Sequence, residues 1–185
     1  MVKALKKDAT YADLVAVPEH FVAEIFDGEL YASPRPASPH AHAIGALHRK
    51  LGVPFQDGEN GPGGWLFLIE AELHFGANVL VPDVAAWRVE RMPAIPDVPF
   101  FTLAPDWVCE VLSPSTEWID RRKKLPIYAG AGVAHAWLVD PRERTLEVLR
   151  LHAQAWAKVA DHHGDGNVSA EPFAAVELTL RALWL

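Results

Sequence analysis

A single glutamate interrupts the most apolar strand that this sequence predicts. Residues 107–112 read Trp-Val-Cys-Glu-Val-Leu, and a continuous apolar run of this length is typical of a strand that is buried on both faces. Because side chains alternate along a strand, Glu110 shares its face with Val108 and Leu112. A carboxylate taken out of water is costly unless it is paired. Glu110 therefore predicts either a buried ion pair with an arginine or a metal ligand.

A second isolated acid lies upstream, in another segment of strand-forming residues. Asp83 follows Pro82 within the run 79–87, which reads Val-Leu-Val-Pro-Asp-Val-Ala-Ala-Trp. One interpretation is a bulge or a sheet edge, because proline cannot donate to a β-ladder and aspartate is common in turns. The other is a functional carboxylate on a strand that neighbours Glu110.

The segment after Glu110 begins with a Ser-Pro turn and continues as a predicted helix over 113–130. Asp120 and Lys124 are four residues apart and would lie on one face of this helix. Considered alone, this pair is more simply interpreted as a surface ion pair, which contributes less than about 1 kcal/mol. Pro126 would cost about 3 kcal/mol inside a helix, so either the helix is kinked or it begins near Leu125.

The order of predicted elements indicates an α/β (α+β) fold. A hairpin over 21–31 turns at Asp27-Gly28, the dipeptide that two-residue hairpins favour. A mixed β-sheet core flanked by helices accounts for this order better than a regular doubly wound fold. The other elements are helices over 10–17 and 40–51, strands over 65–75, 79–88, 106–112, 135–139 and 145–151, an irregular loop over 91–105 and a C-terminal hairpin extension that contains Trp156.

Composition limits the class of protein. With 185 residues, of which 50% are hydrophobic and 22% charged, a single globular domain over 1–185 is expected. The net charge of −7 argues against nucleic-acid binding over the whole surface, but it is compatible with an acidic metal site. The single cysteine and the lack of a long apolar run predict a cytoplasmic protein without a membrane span. P-loop, Gly-x-Ser-x-Gly, His-Glu-x-x-His and zinc-finger patterns do not occur.

Several motifs occur in a characteristic order over residues 10–151. They are Asp27-Gly-Glu-Leu30, His40, Pro82-Asp83, Glu110-Val-Leu-Ser-Pro-Ser-Thr116, Asp120, Lys124, Tyr128, Ala131-Gly-Val133, Trp137 and Val139-Asp140. In this order they resemble the bacterial family described as "putative restriction endonucleases" in the PD-(D/E)xK nuclease superfamily. The resemblance implies a restriction-endonuclease-like fold and a metal-dependent DNA endonuclease.

The resemblance also implies the roles of individual residues. Asp83 and Glu110 would hold Mg²⁺ or Mn²⁺, and the backbone carbonyl of Val111 is a further metal contact. The superfamily pattern places a lysine two residues after the glutamate, where this chain has Leu112. The resemblance therefore assigns the catalytic lysine to Lys124.

The remaining expectations concern a fourth acid, partners and a rival function. Glu29, with Glu24 as the less favoured choice, would supply an additional catalytic carboxylate, although a solvated hairpin acid is an equal interpretation. His40 would contact a phosphate. DNA is the expected substrate and a homodimer is one possible assembly. The rival is a degenerate nuclease fold that binds nucleic acid or protein, which the acidic net charge and Pro126 favour.

Overall fold

The computed structural model describes residues 3–34 and 37–184. The helices are α1 (Tyr11–Val15), α2 (Ser38–Phe55), α3 (Glu117–Ile119), a π-helical turn (Asp120–Lys124), α4 (Leu125–Gly130) and a 3-10 helix (Leu180–Leu183). The strands are β1 (Phe21–Phe26), β2 (Glu29–Pro34), β3 (Trp65–Ile69), β4 (Leu73–Phe75), β5 (Asn78–Leu80), β6 (Val84–Arg88), β7 (Trp107–Val111), β8 (His135–Asp140), β9 (Thr145–His152), β10 (Ala155–His163), β11 (Asn167–Val168) and β12 (Leu178–Thr179). None of the helices in these ranges is long and apolar enough to cross a membrane.

The strands form two principal sheets. A four-stranded sheet has the order β2-β1-β5-β4, and a six-stranded sheet has the order β10-β9-β8-β7-β6-β3. In the larger sheet β7 and β8 are parallel, whereas the other neighbours are antiparallel. The predicted mixed sheet flanked by helices is therefore confirmed, as are the N-terminal hairpin β1–β2 and the C-terminal hairpin β9–β10.

The N-terminal hairpin follows from its turn residues. Asp27 and Gly28 both have positive φ, 51° and 77°, as a type I′ turn requires. The register then pairs Glu24 with Tyr31 and Phe26 with Glu29. Paired residues of antiparallel strands point to the same face, so Glu24 and Glu29 lie on one face at different distances from the turn.

Two predicted strands are each divided between the two sheets. The strand expected over 65–75 is β3 in the large sheet and β4 in the small one, with a break at Glu70, whose φ is 51°. The strand expected over 79–88 is β5 in the small sheet and β6 in the large one. The second break contains Pro82, which cannot donate to a ladder. Asp83 consequently lies at the crossing between the sheets, directly before β6.

The central strand β7 is buried along its whole length, as its sequence predicts. One face, with Trp107, Cys109 and Val111, belongs to a core that α2 and the C-terminal residues complete. The opposite face, with Val108, belongs to a second core that includes residues of the hairpin, α4 and β4. Because side chains alternate along a strand, the side chain of Glu110 lies on the same face as Val108.

The helical segment after β7 contains a change of helix type beside Pro126. The backbone N–H of Leu125 donates to the carbonyl of Asp120, which is the i→i+5 bond of a π-helical turn. Pro126 lies in the first turn of α4, where a missing N–H costs little. Within the predicted helix over 113–130, helical structure runs from Glu117 to Gly130. Of the two alternatives for Pro126 the structure shows the second, since α4 begins at Leu125 and Lys124 ends the turn that leads into it.

Candidate functional site

Asp83 and Glu110 line one cavity where the two sheets and the start of α2 meet. Its volume is about 280 Å³, and five acidic residues and one lysine line it. Glu70 is one of the acids, and the other four form a cluster with the lysine: Glu24, Asp83, Glu110, Asp120 and Lys124. These carboxylates come from β1, from the crossing before β6, from β7 and from the π-helical turn. The site is therefore assembled from segments that are far apart in the chain.

Lys124 is the centre of this cluster. Its side chain is 6% exposed, and its Nζ lies 2.9 Å from Glu24 Oε1 and 3.1 Å from Glu110 Oε2. Asp120 Oδ1 is 3.7 Å away, and the ammonium also donates to the carbonyl of Val81 at 3.0 Å. The Asp120–Lys124 pair is thus not the surface ion pair that its spacing suggested. The π-helical turn places the lysine on the cavity side of the segment.

Glu110 is held from two sides. Its Oε1 accepts a hydrogen bond from the Tyr128 hydroxyl at 2.6 Å, and its Oε2 accepts one from Lys124 at 3.1 Å. Among the described residues, no arginine pairs with Glu110, so the predicted arginine ion pair is wrong. The compensating cation is a lysine, and a carboxylate so anchored keeps further lone pairs for a ligand.

Asp83 is oriented by the strand beside it. The backbone N–H of Val111 donates to Asp83 Oδ2 at 2.6 Å, and His40 Nε2 lies 3.3 Å from the same oxygen. The side chain is 17% exposed and lines the same cavity as Glu110. The crossing of the chain between the two sheets at Pro82 thus places Asp83 at the same cavity as Glu110.

The electrostatics of the cavity are those of an incompletely neutralised acidic cluster. Burial raises the pKa of Glu110 well above its usual value, raises that of Glu24, and raises that of Asp120 to about 7, although Lys124 lowers all three. Burial alone would lower the pKa of Lys124, but the surrounding carboxylates raise it well above its usual value. Burial also opposes protonation of His40, yet Asp83 raises its pKa overall.

This cluster is suited to a divalent cation. The four clustered carboxylates outnumber the one lysine and one histidine beside them, and unneutralised buried charge is costly. In residues 3–34 and 37–184 no three His, Cys, Asp or Glu side chains already stand in a common coordinating arrangement. Mg²⁺ commonly takes one or two carboxylates and retains several waters. Asp83, Glu110 and Val111 all line the cavity, and carboxylate and carbonyl oxygens are the kinds of ligand that Mg²⁺ takes.

Of the two hairpin acids, Glu24 lines the cavity and Glu29 does not. Glu24 is 5% exposed and accepts hydrogen bonds from Lys124 and from the Val81 N–H. Glu29 lies beside the turn, where it accepts from the Tyr31 hydroxyl at 2.8 Å and is 3.6 Å from Lys123. Both acids share a face of the hairpin, but only Glu24 is far enough from the turn to reach the cavity.

A group of hydroxyls lines another part of the cavity wall. Ser113 Oγ lies 3.0 Å from Ser115 Oγ and 2.8 Å from Thr116 Oγ1. All three residues line the cavity, one turn of chain beyond Glu110. Hydroxyl groups donate readily to phosphate oxygens. The Ser-Pro-Ser-Thr sequence by itself indicates only a turn and a helix start, and the structure adds its contact with the cavity.

Comparisons with known proteins bear on the family and the fold of the chain. A family model described as "Putative restriction endonuclease", named Uma2, matches residues 9–182. Among solved structures, the chain is similar to the crystal structure of a "putative nuclease belonging to DUF820" from Anabaena variabilis ATCC 29413. The TM-score is 0.76 at 23% sequence identity, and the match covers 95% of this chain and 97% of that one. A search of curated proteins gave no significant match.

Proposed function

Because the chain belongs to the Uma2 family of restriction-endonuclease-like proteins, we propose that it is a metal-dependent DNA endonuclease that hydrolyses phosphodiester bonds. The observation that carries the proposal is the buried Lys124, which contacts Glu110 and Glu24 in the cavity that Asp83 also lines. Two acids and a lysine at one cavity are the groups needed to bind a metal ion and to stabilise charge on a phosphate.

The residues have distinct roles in this proposal. Asp83, Glu110 and the carbonyl of Val111 would hold the metal ion. A bound Mg²⁺ or Mn²⁺ supplies Lewis-acid stabilisation of the scissile phosphate and promotes deprotonation of the attacking water. The positive charge of the Lys124 ammonium would stabilise the negative charge that builds up on the phosphate oxygens.

Other residues support these groups. The Tyr128 hydroxyl fixes the rotamer of Glu110 through its bond of 2.6 Å. The Val111 N–H does the same for Asp83. The hydroxyls of Ser113, Ser115 and Thr116 lie on the cavity wall, where they donate to the DNA backbone. Positions held in advance in this way cost no reorganisation during the reaction.

The test is cleavage of supercoiled plasmid DNA with Mg²⁺ or Mn²⁺, with and without a chelator. We expect cleavage by the wild type that the chelator abolishes, and a loss of at least about 100-fold in Asp83→Asn and Glu110→Gln. Both substitutions preserve side-chain volume, so circular dichroism should show an unchanged fold. Equal cleavage by the wild type and both variants would sink the proposal. DNA binding without any metal-dependent cleavage would favour the degenerate binding module instead.

The two hairpin acids give a sharper test of the site. Glu24→Gln is expected to reduce cleavage about 10- to 100-fold, since the lysine loses a charged partner that orients it. Glu29→Gln removes a carboxylate on the same face of the same hairpin and should leave the rate near that of the wild type. The measurement is the initial rate of plasmid nicking at saturating metal. A larger loss in Glu29→Gln than in Glu24→Gln would contradict this assignment.

A further inference from the structure

A second pocket adjoins the cavity, between α1, β1 and the segment 70–72, and is called the side pocket below. Its volume is about 320 Å³, near the lower end of the range of about 300–1,000 Å³ that is typical of small-ligand pockets. Val22, Glu70 and Val81 line both the side pocket and the cavity. Because the carbonyl of Val81 accepts the hydrogen bond from Lys124, the side pocket begins directly beside the lysine.

The wall that α1 contributes to the side pocket is apolar and aromatic. Tyr11 and Val15 both line it, and they are 39% and 65% exposed. The ring of Tyr11 stands edge-on to the rings of His74 and Phe100, with centroid distances of 4.9 and 6.1 Å. His74 and Phe100 in turn stack on each other at 3.8 Å. This packing holds the Tyr11 ring in place, while the tyrosine remains exposed to the pocket.

Carboxylates line the opposite side of the pocket. The side chain of Glu72 is 23% exposed, and its Oε1 lies 2.6 Å from His74 Nε2. Glu72 also accepts a hydrogen bond from the Tyr11 hydroxyl. A carboxylate has about four lone-pair sites, so Glu72 has capacity for a further donor. Carboxylates repel phosphate but accept from amino groups, as they do from the amino group of cytosine. The side pocket is therefore suited to a base and not to a phosphate.

We propose that the side pocket binds an unpaired nucleobase that carries an exocyclic amino group, on the strand whose phosphate lies at the cavity. Tyr11 stacks on this base, and Glu72 accepts a hydrogen bond from its amino group. The inference rests on the proposed function and names its substrate class, which is DNA that is single-stranded or locally unpaired at the cleaved position. A base in this pocket cannot stay paired and stacked in a duplex, and unpairing it costs free energy.

Two binding preferences follow from this arrangement. A single strand should bind more tightly than the same strand paired with its complement, because its bases are already unpaired. Cytosine presents an amino group where thymine presents a carbonyl oxygen, which a carboxylate cannot accept from. We therefore expect an oligonucleotide of cytosines to bind at least about 5-fold more tightly than one of thymines.

The direct test is fluorescence anisotropy of the full-length protein with labelled oligonucleotides of about ten nucleotides. The measurements are made with a chelator and again with Ca²⁺, a cation that takes oxygen ligands. Tyr11→Leu should weaken binding of the cytosine oligonucleotide by at least about 5-fold, as expected for the loss of one base–aromatic stack. Tyr11→Phe keeps the ring and should bind as the wild type does.

Two exposed valines provide a matched pair of variants. Val15 lines the side pocket, whereas Val98 is 45% exposed in the loop after β6 and lines neither the side pocket nor the cavity. Val15→Glu adds a longer, charged side chain to the pocket and should remove the preference for cytosine over thymine. Val98→Glu adds the same charge elsewhere and should preserve it. This pair keeps the test decisive if Tyr11→Leu does not fold.

The outcomes separate this inference from the function on which it rests. Equal affinities for the cytosine and thymine oligonucleotides, or for single strand and duplex, would overturn it. Equal effects of Val15→Glu and Val98→Glu, or no binding of any oligonucleotide, would overturn it as well. In each of these cases, metal-dependent plasmid cleavage that Asp83→Asn abolishes leaves the nuclease proposal standing. The expected base preference without any cleavage supports the side pocket and contradicts the nuclease proposal alone.

Discussion

Replacing Lys124 with methionine is expected to destabilise the protein by about 3–5 kcal/mol at pH 8 and to reduce DNA cleavage by about 100- to 1000-fold. The side chain is 6% exposed, and its removal leaves Glu24 and Glu110 buried without their cation. Methionine fills the same space, so the loss reflects charge and not a cavity. The positive charge of the same side chain would stabilise the phosphate during the reaction, which accounts for the loss of rate.

Lys123 provides the matched control. Its Nζ lies 3.6 Å from Asp27 and from Glu29 outside the cavity, and its side chain is 25% exposed. Lys123→Met should therefore cost less than about 1 kcal/mol and leave cleavage close to that of the wild type. Urea denaturation gives the free energies of unfolding, and plasmid nicking gives the rates. Similar losses in the two variants would show that Lys124 has no special position.

Without metal, the protein is expected to become less stable as the pH rises from about 5 to 7.5. Burial raises the pKa of Asp120 to about 7 from a usual 3.8, so the folded state binds a proton more tightly than the unfolded chain does. Such a group contributes stability that is complete below the unfolded pKa and is lost as the pH rises through the folded one. At 1.36 kcal/mol per unit, the effect of Asp120 is at most about 4 kcal/mol. The raised pKa values of Glu24 and Glu110 act in the same direction.

The check is urea denaturation in the presence of a chelator across this pH range. Asp120→Asn should reduce the pH dependence, because the amide does not ionise, whereas Asp97→Asn in an exposed loop should leave it unchanged. Adding Mn²⁺ or Mg²⁺ at pH 7.5 should restore stability, since a ligand that binds only the folded state shifts the equilibrium towards it. A wild-type stability that is flat or rises with pH over this range would contradict the expectation.

The acids of the cavity have opposite consequences for stability and for function. Asp13 is paired with Lys6 on the surface, and its pKa is lowered to about 2. Its ionisation therefore favours the folded state. Glu110 and Asp120 are buried among like charges, so their ionisation destabilises the folded state. A chain selected for stability alone would replace such acids with apolar residues. Their presence together is understandable if a cation binds between them.

Local sequence patterns were sufficient for several elements. Asp27-Gly28 predicted the hairpin because few residues other than these accept positive φ at both turn positions. The apolar run around Glu110 predicted β7 and the face of the sheet on which the carboxylate lies. Both predictions depend on interactions between near neighbours in the chain, and the structure confirms both.

Predictions that required the relative position of distant segments were less successful. The strand patterns continued through 65–75 and 79–88, and nothing local indicated that each run passes from one sheet to another. The spacing of Asp120 and Lys124 fits a solvent-exposed pair as well as a buried one. Only the packing of the π-helical turn against β1 and β7 distinguishes the two.

The sequence by itself therefore determined that the chain forms a mixed sheet with helices and that Glu110 is a buried acid in its centre. Turn chemistry and side-chain alternation are local, and one chain segment carries all the information that they need. Only the tertiary structure decided that Lys124 is the partner of Glu110, and that Glu24 takes the place of Glu29 and His40 lies beside Asp83. The physical reason is that a shared cavity depends on the register and crossing of strands that are distant in sequence.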